Sequence, residues 1–401
     1  MNLVAYGAQD VYLSGRAGMY DKFKIYYKKH IINDIVTKIE ITGWEFIESV
    51  EYCKLTKYVK NMFTNPIIKQ SIDCSTTGIK KLPKFKNLDI FNVLKYFNCS
   101  HNNLSNINKL KYISLIKLDC SYNLIKSIPN KMYSLEYLDL SNNQVEGDLD
   151  FLNYPELKYL MLSSNNINNV LNLGNKLIYL DLSNNPIKNL DNLPYSLEYL
   201  LVVKTHITKI NYKSLPNLKY LDISINNSFN IGNLQNGLIY LNCSQSGITK
   251  LDNLPCTINK LICINNSIKS LNMLPESIEY LDCDHNKITT LDDLPNSLTK
   301  LICSHNELIS LNNLPPKLEY LNCSNNKLVS LTNLPKSLEI IIDENNDDLK
   351  KNNDNNIHED NDNDNDNIHK DNDNIHKNNN NHTIEPMNTF FKIVYRRYTK
   401  F

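Results

Sequence analysis

Apolar residues recur every twenty residues through the middle of the chain, from about residue 94 to residue 328. The clearest unit reads LEYLNCSNNKL and contains Leu318, Leu321, Cys323, Asn326 and Leu328. Because Leu321 and Cys323 are two residues apart, they lie on the same side of a strand. A repeat of this period predicts a solenoid, in which each unit adds one strand to a parallel sheet and stacking buries a continuous core.

Twelve units are clear, and degenerate units flank them at residues 72–79 and 338–343, where the ends of a stack meet water. An asparagine follows the strand of most units. Its side chain is predicted to bond backbone groups of the turn and to form a ladder along the stack. Thr205 and Ser246 replace this asparagine in two units, where we expect a weaker ladder. The first apolar residues of the twelve units are Leu94, Leu115, Leu135, Leu157, Leu177, Leu197, Leu218, Leu238, Ile258, Ile278, Leu298 and Leu318.

The segment that returns to the next strand repeats Asn-Leu-Pro, for example at 313–315 and 333–335. Proline fixes its own φ, lacks an N–H donor and pushes the preceding residue toward extended geometry. About ten residues of each unit are left for this return path, which is too short for a long helix. We therefore predict a return side that is extended or contains short 3-10 turns.

The pattern LxxLxCxxNxLxxLxNLPxSL, which covers residues 69–343, resembles the leucine-rich repeat. Its length and its LPxSL ending resemble the short bacterial-type subclass found in secreted effector proteins. The resemblance implies the α/β repeat class, mostly β: a solenoid with a parallel concave sheet and an extended or 3-10 convex side. It also implies protein binding in general. Some effectors of this type carry a C-terminal ubiquitin-ligase domain, for which the residues after the last repeat are too few and too polar.

The two ends of the sequence carry a second resemblance. AYGAQDVYL at residues 5–13 and FFKIVYRRY at residues 390–398 together resemble the N-terminal segment of the double jelly-roll major capsid proteins of large DNA viruses. A degraded copy of the second string stands at residues 23–30. The ends are interpreted either as docking tags for a virus particle, or as remnants of recombination between virus genes, or as a tail that packs on the array as a strand or cap. The candidate docking residues of the tail are Phe391, Lys392, Tyr395, Arg396 and Arg397.

These patterns divide the chain into four segments. They are a capsid-like segment and cap at 1–68, the repeat array at 69–343, a disordered linker rich in Asn, Asp and His at 344–387, and a basic-aromatic capsid-like tail at 388–401. Within the cap a strand is predicted to begin at 36–41, and Trp44 is expected in its core. Apolar residues then follow at near-helical spacing, at Phe46, Ile47, Val50 and Leu55.

Ten cysteines could indicate disulfides or a metal site, but eight of them share one position of the repeat. Leu140, Leu162 and Leu182 take that position in other units, so the cysteines behave as small buried hydrophobic residues. No two cysteines have the spacing of two to four residues that zinc sites use. We therefore expect reduced core thiols at Cys74, Cys99, Cys120, Cys243, Cys263, Cys283, Cys303 and Cys323.

The net charge is zero, so composition gives no reason to expect nucleic acid or an acidic membrane as a partner. The first residues lack the pattern of a secretory signal, and no apolar run approaches the length of a membrane span. We therefore expect the protein in the host cytoplasm or in the virus particle. In the linker, metal capture by acidic residues and a histidine is less favoured, because a calcium loop needs a glycine and a glutamate that the run lacks. The residues considered for it are Asp360, Asp362, Asp364 and His369.

The face of the sheet that points away from the core is the predicted binding surface. Its first column is mostly tyrosine, its second mostly Asp or Asn, and its third mostly serine. Tyrosine offers a large contact area and a polar tip at low entropic cost, although stacked tyrosines can equally support one another along a sheet. The face is predicted to be locally apolar at residues 201–203. The candidate protein-binding residues are Tyr159, Met161, Tyr179, Asp181, Tyr199, Leu201, Val203 and Tyr220.

The sequence contains no nucleophile motif, phosphate-binding loop or metal-ligand spacing, so we expect no enzyme activity, cofactor or metal. His101, His285 and His305 precede the ladder asparagine and are interpreted as surface turn residues. The leading hypothesis is a non-enzymatic interaction module that binds a protein ligand of unknown identity on the concave face. The alternative is a virion-associated structural or tethering protein, docked to virion or capsid components through its ends. A ubiquitin-ligase adaptor is a weaker alternative, because no F-box-like helix pattern is found.

Overall fold

The strands of the protein are short, parallel and regularly spaced along most of the chain. The computed structural model describes residues 2–14, 19–32, 35–51, 71–76, 78–82, 94–271, 273–291, 293–311 and 313–346, with residues 2–51 described by their backbone alone. In chain order the strands are β1 (Asn2–Ser14), β2 (Met19–Ile32), β3 (Ile35–Glu51), β4 (Ser71–Asp73), β5 (Tyr96–Asn98), β6 (Lys117–Asp119), β7 (Tyr137–Asp139), β8 (Glu146–Asp150), β9 (Tyr159–Met161), β10 (Asn166–Leu171), β11 (Tyr179–Asp181), β12 (Tyr199–Leu201), β13 (Tyr220–Asp222), β14 (Tyr240–Asn242), β15 (Lys260–Ile262), β16 (Tyr280–Asp282), β17 (Lys300–Ile302), β18 (Tyr320–Asn322) and β19 (Ile340–Ile342).

The fourteen strands from β4 to β19, leaving out β8 and β10, pair in parallel with their neighbours along the stack. Their register never slips: Leu281 of β16 lies opposite Leu261 on one side and Leu301 on the other. A slip of one residue would turn the buried leucines to solvent, so burial fixes the register. The predicted mostly-β parallel solenoid is confirmed, and the degenerate units at its two ends also contribute strands, β4 and β19.

The core is a column of side chains that repeats from one unit to the next. In most units the middle leucine of the strand and the residue two positions later point into it, and Leu281 and Cys283 are fully buried. Some of the cysteine thiols also donate weak hydrogen bonds to the next strand, as from Cys283 Sγ to the carbonyl of Ile302 at 3.4 Å. All eight predicted core cysteines are buried free thiols, which confirms the interpretation as small hydrophobic residues.

The asparagine ladder joins each turn to the one before it. Asn286 Nδ2 lies 2.9 Å from the carbonyl of Cys263 in the preceding turn and 3.1 Å from that of Cys283 in its own, while its Oδ1 accepts from Ile268 N at 3.1 Å. These bonds satisfy buried backbone groups that have no sheet partner. At Thr205 and Ser246 a hydroxyl, which has one proton to donate, replaces an amide with two. The ladder has fewer donated bonds there, as predicted.

The return side explains the Leu-Pro-x-Ser-Leu motif. The carbonyl of Pro295 accepts from Leu298 N at 3.0 Å and so closes a turn, and Ser297 Oγ donates to the carbonyl of Ile278 in the preceding unit at 2.7 Å. Two short 3-10 helices, Asn108–Tyr112 and Tyr212–Ser214, occur on this side, as does the parallel pair of β8 and β10. The prediction of an extended or 3-10 return side is confirmed. Among the described residues, no helix has the length and apolar character needed to cross a bilayer.

Three longer strands precede the array. β1 pairs antiparallel with β2, β2 pairs antiparallel with β3, and β3 joins β4 in parallel at Glu40 and Asp73. The strand predicted to begin at 36–41 is confirmed. The near-helical spacing predicted the wrong structure for Phe46, Ile47 and Val50, because pairing with β2 continues β3 through them. Leu55 and the side chain of Trp44 lie outside the described part of the chain.

Candidate functional site

The first column of the outer sheet face is a row of aromatic and lysine side chains. Parallel pairing aligns the tyrosines of neighbouring strands, so the ring of Tyr199 lies 6.1 Å from that of Tyr179 and 5.9 Å from that of Tyr220. Where lysine takes the same position, its ammonium group lies over a neighbouring ring: Lys260 Nζ is 4.3 Å from the ring centroid of Tyr280. Such contacts order the side chains of the column and leave their outer edges accessible to a partner.

The second column consists largely of carboxylates and amides that close the turn after the strand. Asp222 Oδ1 accepts hydrogen bonds from the backbone N–H and the hydroxyl of Ser224, at 3.0 and 2.6 Å. The same Asp-x-Ser arrangement occurs at Asp181 and Ser183. This explains why the second and third columns are mostly Asp or Asn and Ser: the pair forms a local side-chain turn at the strand end.

Several of these carboxylates are buried between neighbouring strands, and burial raises their pKa. Asp139 has a pKa raised to about 7, first by burial and then by the carboxylate of Asp119 on the adjacent strand. Burial also raises the pKa of Asp282, to about 6. Carboxylates in these two positions therefore hold protons at higher pH than ordinary aspartates do.

The eight candidate protein-binding residues lie together on this face, on the adjacent strands β9, β11, β12 and β13 and just after β12. Tyr159, Tyr199, Tyr220 and Val203 are half-buried, while neighbouring side chains bury Tyr179. Asp181 lies between Met161 and Leu201 in the register, and all three are buried. Burial raises the pKa of Asp181, because the apolar side chains on both flanks keep water from its carboxylate.

One expectation about this region is wrong. The sequence pattern places Val202 on the locally apolar face, but Val202 is fully buried in the core. Alternation along the strand explains this: Val202 takes the position that cysteine has in other units, and Val203 takes the position of serine. The apolar part of the face therefore comprises Met161, Leu201 and Val203. The five candidate tail residues, Phe391, Lys392, Tyr395, Arg396 and Arg397, lie outside the described residues, and their docking role stays a prediction.

A cluster that the sequence reasoning missed lies at the ends of β16 and β17. It consists of Asp284, His285 and His305, whose potential ligand atoms are all within 4.8 Å of one another. His285 and His305 are twenty residues apart, so no search for short metal-ligand spacings finds them. The signal available in the sequence is that Asp284 stands in a column of serines, and that histidine occurs at the same place in two successive units.

Comparison with known proteins identifies the repeat. A family model described as "Leucine Rich repeats (2 copies)" matches residues 113–154, and one described as "Leucine Rich Repeat" matches residues 176–208 and 317–339. These matches, in three stretches of the array, identify its repeat as a leucine-rich repeat. Human lumican is 37% identical over 89 residues, a match that covers 19% of this chain and 26% of lumican, and bovine lumican is 36% identical over 89 residues. The match thus spans about a quarter of the length of these relatives.

Solved leucine-rich repeat structures share the architecture over most of the chain. YopM, a leucine-rich effector protein from Yersinia pestis, is 26% identical with a TM-score of 0.59, over 67% of this chain and 80% of YopM. The functional domain of InlJ from Listeria monocytogenes, which includes a cysteine ladder, is 23% identical with a TM-score of 0.53, over 71% of this chain and 67% of that one. The similarity to InlJ shows the fold alone. The leucine-rich repeat fold is typical of protein–protein interaction modules.

Proposed function

We propose that the protein is a non-enzymatic interaction module and that its outer sheet face, the concave face of the solenoid, binds a protein ligand. The observation that carries the proposal is the continuous row of aligned tyrosines on β9, β11, β12 and β13, of which Tyr159, Tyr199 and Tyr220 are half-buried. Their rings are already held by neighbours, so a partner meets a large surface that loses little entropy on binding.

The segment from Tyr159 to Tyr220 is the proposed centre of the contact. The buried apolar residues Met161 and Leu201 lie beside the tyrosine column, in the second column of the outer face, as the last residues of β9 and β12. Interfaces draw most of their affinity from aromatic residues at a desolvated centre surrounded by polar groups. The serine column and the carboxylate column supply that polar surrounding along the same strands.

Substitution within the column tests the proposal without disturbing the fold. Tyr199→Lys places in β12 a residue that β15 and β17 carry naturally at the same position. Tyr195→Lys is the matched control, because Tyr195 is exposed on the return side, four residues earlier. A partner is first identified by photo-crosslinking from position 199 and then purified. We expect Tyr199→Lys to raise the dissociation constant about tenfold or more and Tyr195→Lys to leave it unchanged.

A second candidate function is tethering to a virus particle through the capsid-like ends. It rests on the resemblance of residues 5–13 and 390–398, and the structure adds that β1, which contains the first string, pairs along its length with β2, which contains the degraded copy of the second. Mass spectrometry of purified particles tests it. Presence of the protein in particles, lost on charge reversal of Arg396 and Arg397, supports tethering, and absence from particles excludes it.

A further inference from the structure

Two histidines and one aspartate meet where β16 and β17 end. Asp284 follows β16 in the third column of the outer face, where the next two units carry Ser304 and Ser324. His285 is the next residue, and His305 has the same place one unit later. The aspartate is buried, whereas about half of each histidine side chain is exposed.

The backbone of the repeat brings the two histidines together. Both have a left-handed backbone conformation, with φ of 51° at His285 and 52° at His305. This position is left-handed throughout the stack and is often asparagine, as at Asn265 and Asn325, because asparagine tolerates that conformation well. Backbone hydrogen bonds from His285 N to Ser304 O and from His305 N to Ser324 O fix the two turns. The rings therefore stack, with centroids 3.9 Å apart.

The carboxylate of Asp284 lies against both rings. His285 Nδ1 is 2.7 Å from Asp284 Oδ2 and His305 Nδ1 is 3.1 Å from Asp284 Oδ1, while Ser304 Oγ donates to Oδ1 at 2.7 Å. Burial acts to raise the pKa of Asp284, but the hydrogen bonds from Ser304 and His285 outweigh it and hold that pKa below its ordinary value. The three side chains together place two carboxylate oxygens and two imidazole nitrogens on one small area.

We propose that Asp284, His285 and His305 form a binding site for a divalent transition-metal ion of the zinc class. Two imidazoles and one carboxylate are donors that zinc, copper and nickel accept, whereas calcium and magnesium prefer oxygen ligands alone. Ligand atoms that share one tetrahedral zinc ion at about 2.0–2.2 Å each are about 3.3–3.6 Å apart. The potential ligand atoms here all lie within 4.8 Å of one another, so small side-chain rotations bring them to that spacing. The ion takes the place of the protons between the Nδ1 atoms and the carboxylate.

The site has three protein ligands, so one position of a tetrahedral zinc ion stays open to water or to a group from a bound partner. The half-exposed histidines give the ion access from solvent, and Ser304 orients the carboxylate from behind, as the outer partners of metal ligands do. The rival interpretation is a hydrogen-bonded Asp–His pair with a stacked second histidine, which binds no metal.

Zinc titration of the full chain by calorimetry tests the site. Four histidines between residues 358 and 382 and the exposed Cys256 could bind zinc independently, so the background protein carries His358→Asn, His369→Asn, His376→Asn, His382→Asn and Cys256→Ser. We expect one zinc ion per chain in this background. Asp284→Ser, His285→Asn and His305→Asn each introduce the residue that neighbouring units carry, so they preserve the repeat, and each should weaken binding about tenfold or more.

His101→Asn is the matched control. His101 has the same left-handed position, but it stacks on Tyr122 and follows Ser100 instead of an aspartate, so zinc affinity should be unchanged. As a second measurement, nitrogen-15 NMR of the imidazoles should show zinc-dependent shifts of Nδ1 in His285 and His305 and not in His101. Zinc binding that survives His305→Asn, or no binding in the background protein, overturns the proposal and leaves the hydrogen-bonded pair.

Discussion

Tyr220 and Tyr240 stack face to face across two neighbouring strands, with ring centroids 3.9 Å apart and planes inclined by 5°. Their backbones lie opposite each other in the register of β13 and β14. Parallel strands are about 4.8 Å apart, so the rings tilt to reach van der Waals contact. The same strand register thus aligns the side chains of the outer face and those of the core. Substitutions in the core should change stability, whereas substitutions on the outer face should change binding.

The core register predicts a large effect for Leu281→Ala. Leu281 is fully buried between Leu261 and Leu301, and a cavity at such a site costs about 2–5 kcal/mol. Ile309→Ala is the control, because Ile309 is exposed and should change stability by less than about 0.5 kcal/mol. Urea unfolding followed by circular dichroism measures both. Equal losses for the two variants would contradict the register.

The ladder predicts a graded response at Asn286. Asn286→Ala leaves the buried N–H of Ile268 without its acceptor, at about 1–3 kcal/mol. It also removes one of the two amide donors from the carbonyls of Cys263 and Cys283, which each keep the amide of a neighbouring ladder asparagine. Asn286→Ser should cost less, because a hydroxyl restores part of this bonding, as Ser246 does in its own unit. Thermal unfolding of both variants checks the order. An equal loss of stability in Asn286→Ser and Asn286→Ala would argue against the ladder.

The buried carboxylate of Asp139 predicts a pH-dependent stability. Because its pKa is raised in the folded state, the folded chain holds more protons than the unfolded chain between about pH 4 and pH 7. These extra protons favour the folded state. The stability that they supply is complete at low pH and is lost as pH rises through about 7. Asp139→Asn removes the loss, so the variant should be more stable than wild type by roughly 1–3 kcal/mol at pH 8 and nearly equal at pH 4.

Asparagine at this position of the repeat has a native precedent. Asn242 Nδ2 donates to Asp222 Oδ2 of the preceding strand at 3.0 Å, and its Oδ1 accepts from Ser244 N. The amide that Asp139→Asn introduces can make the same two bonds, to the carboxylate of the preceding strand and to the N–H two residues later. Asp252→Asn, an exposed replacement on the return side, serves as the control in unfolding measured at both pH values. A stability gain at pH 4 as large as that at pH 8 would show that ionisation is not the cause.

Thiol reactivity should separate the core cysteines from Cys256. Burial raises the pKa of Cys283, and it does the same for Cys263 and Cys303 in its column, so few thiolates form and alkylating reagents cannot reach them. Cys256 is exposed and should react with iodoacetamide in the native protein at pH 8. Peptide mass spectrometry before and after unfolding checks this. Rapid labelling of Cys283 in the native chain would contradict its burial.

The sequence predicted the solenoid, its register and the composition of its sheet face, because a strict period carries all three. Where a single unit departs from the pattern, alternation along the strand still predicts which side chains face the core. Val202 is placed on the wrong face only when residues 201–203 are treated as one apolar patch. The extended path through Phe46 to Val50 depends on pairing with β2, which local spacing does not reveal. The cluster at Asp284 depends on two units being stacked, so short ligand spacings along the chain do not reveal it.

The dissociation constant of the purified partner for three proteins is the most direct test of binding through the sheet face. These are the wild type, Tyr199→Lys and Tyr195→Lys, each shown to have the same thermal unfolding. Binding should weaken about tenfold or more for Tyr199→Lys and stay within about twofold of wild type for Tyr195→Lys. Unchanged affinity for Tyr199→Lys, together with weaker binding by Tyr195→Lys, would place the partner on the return side and contradict binding through the sheet face.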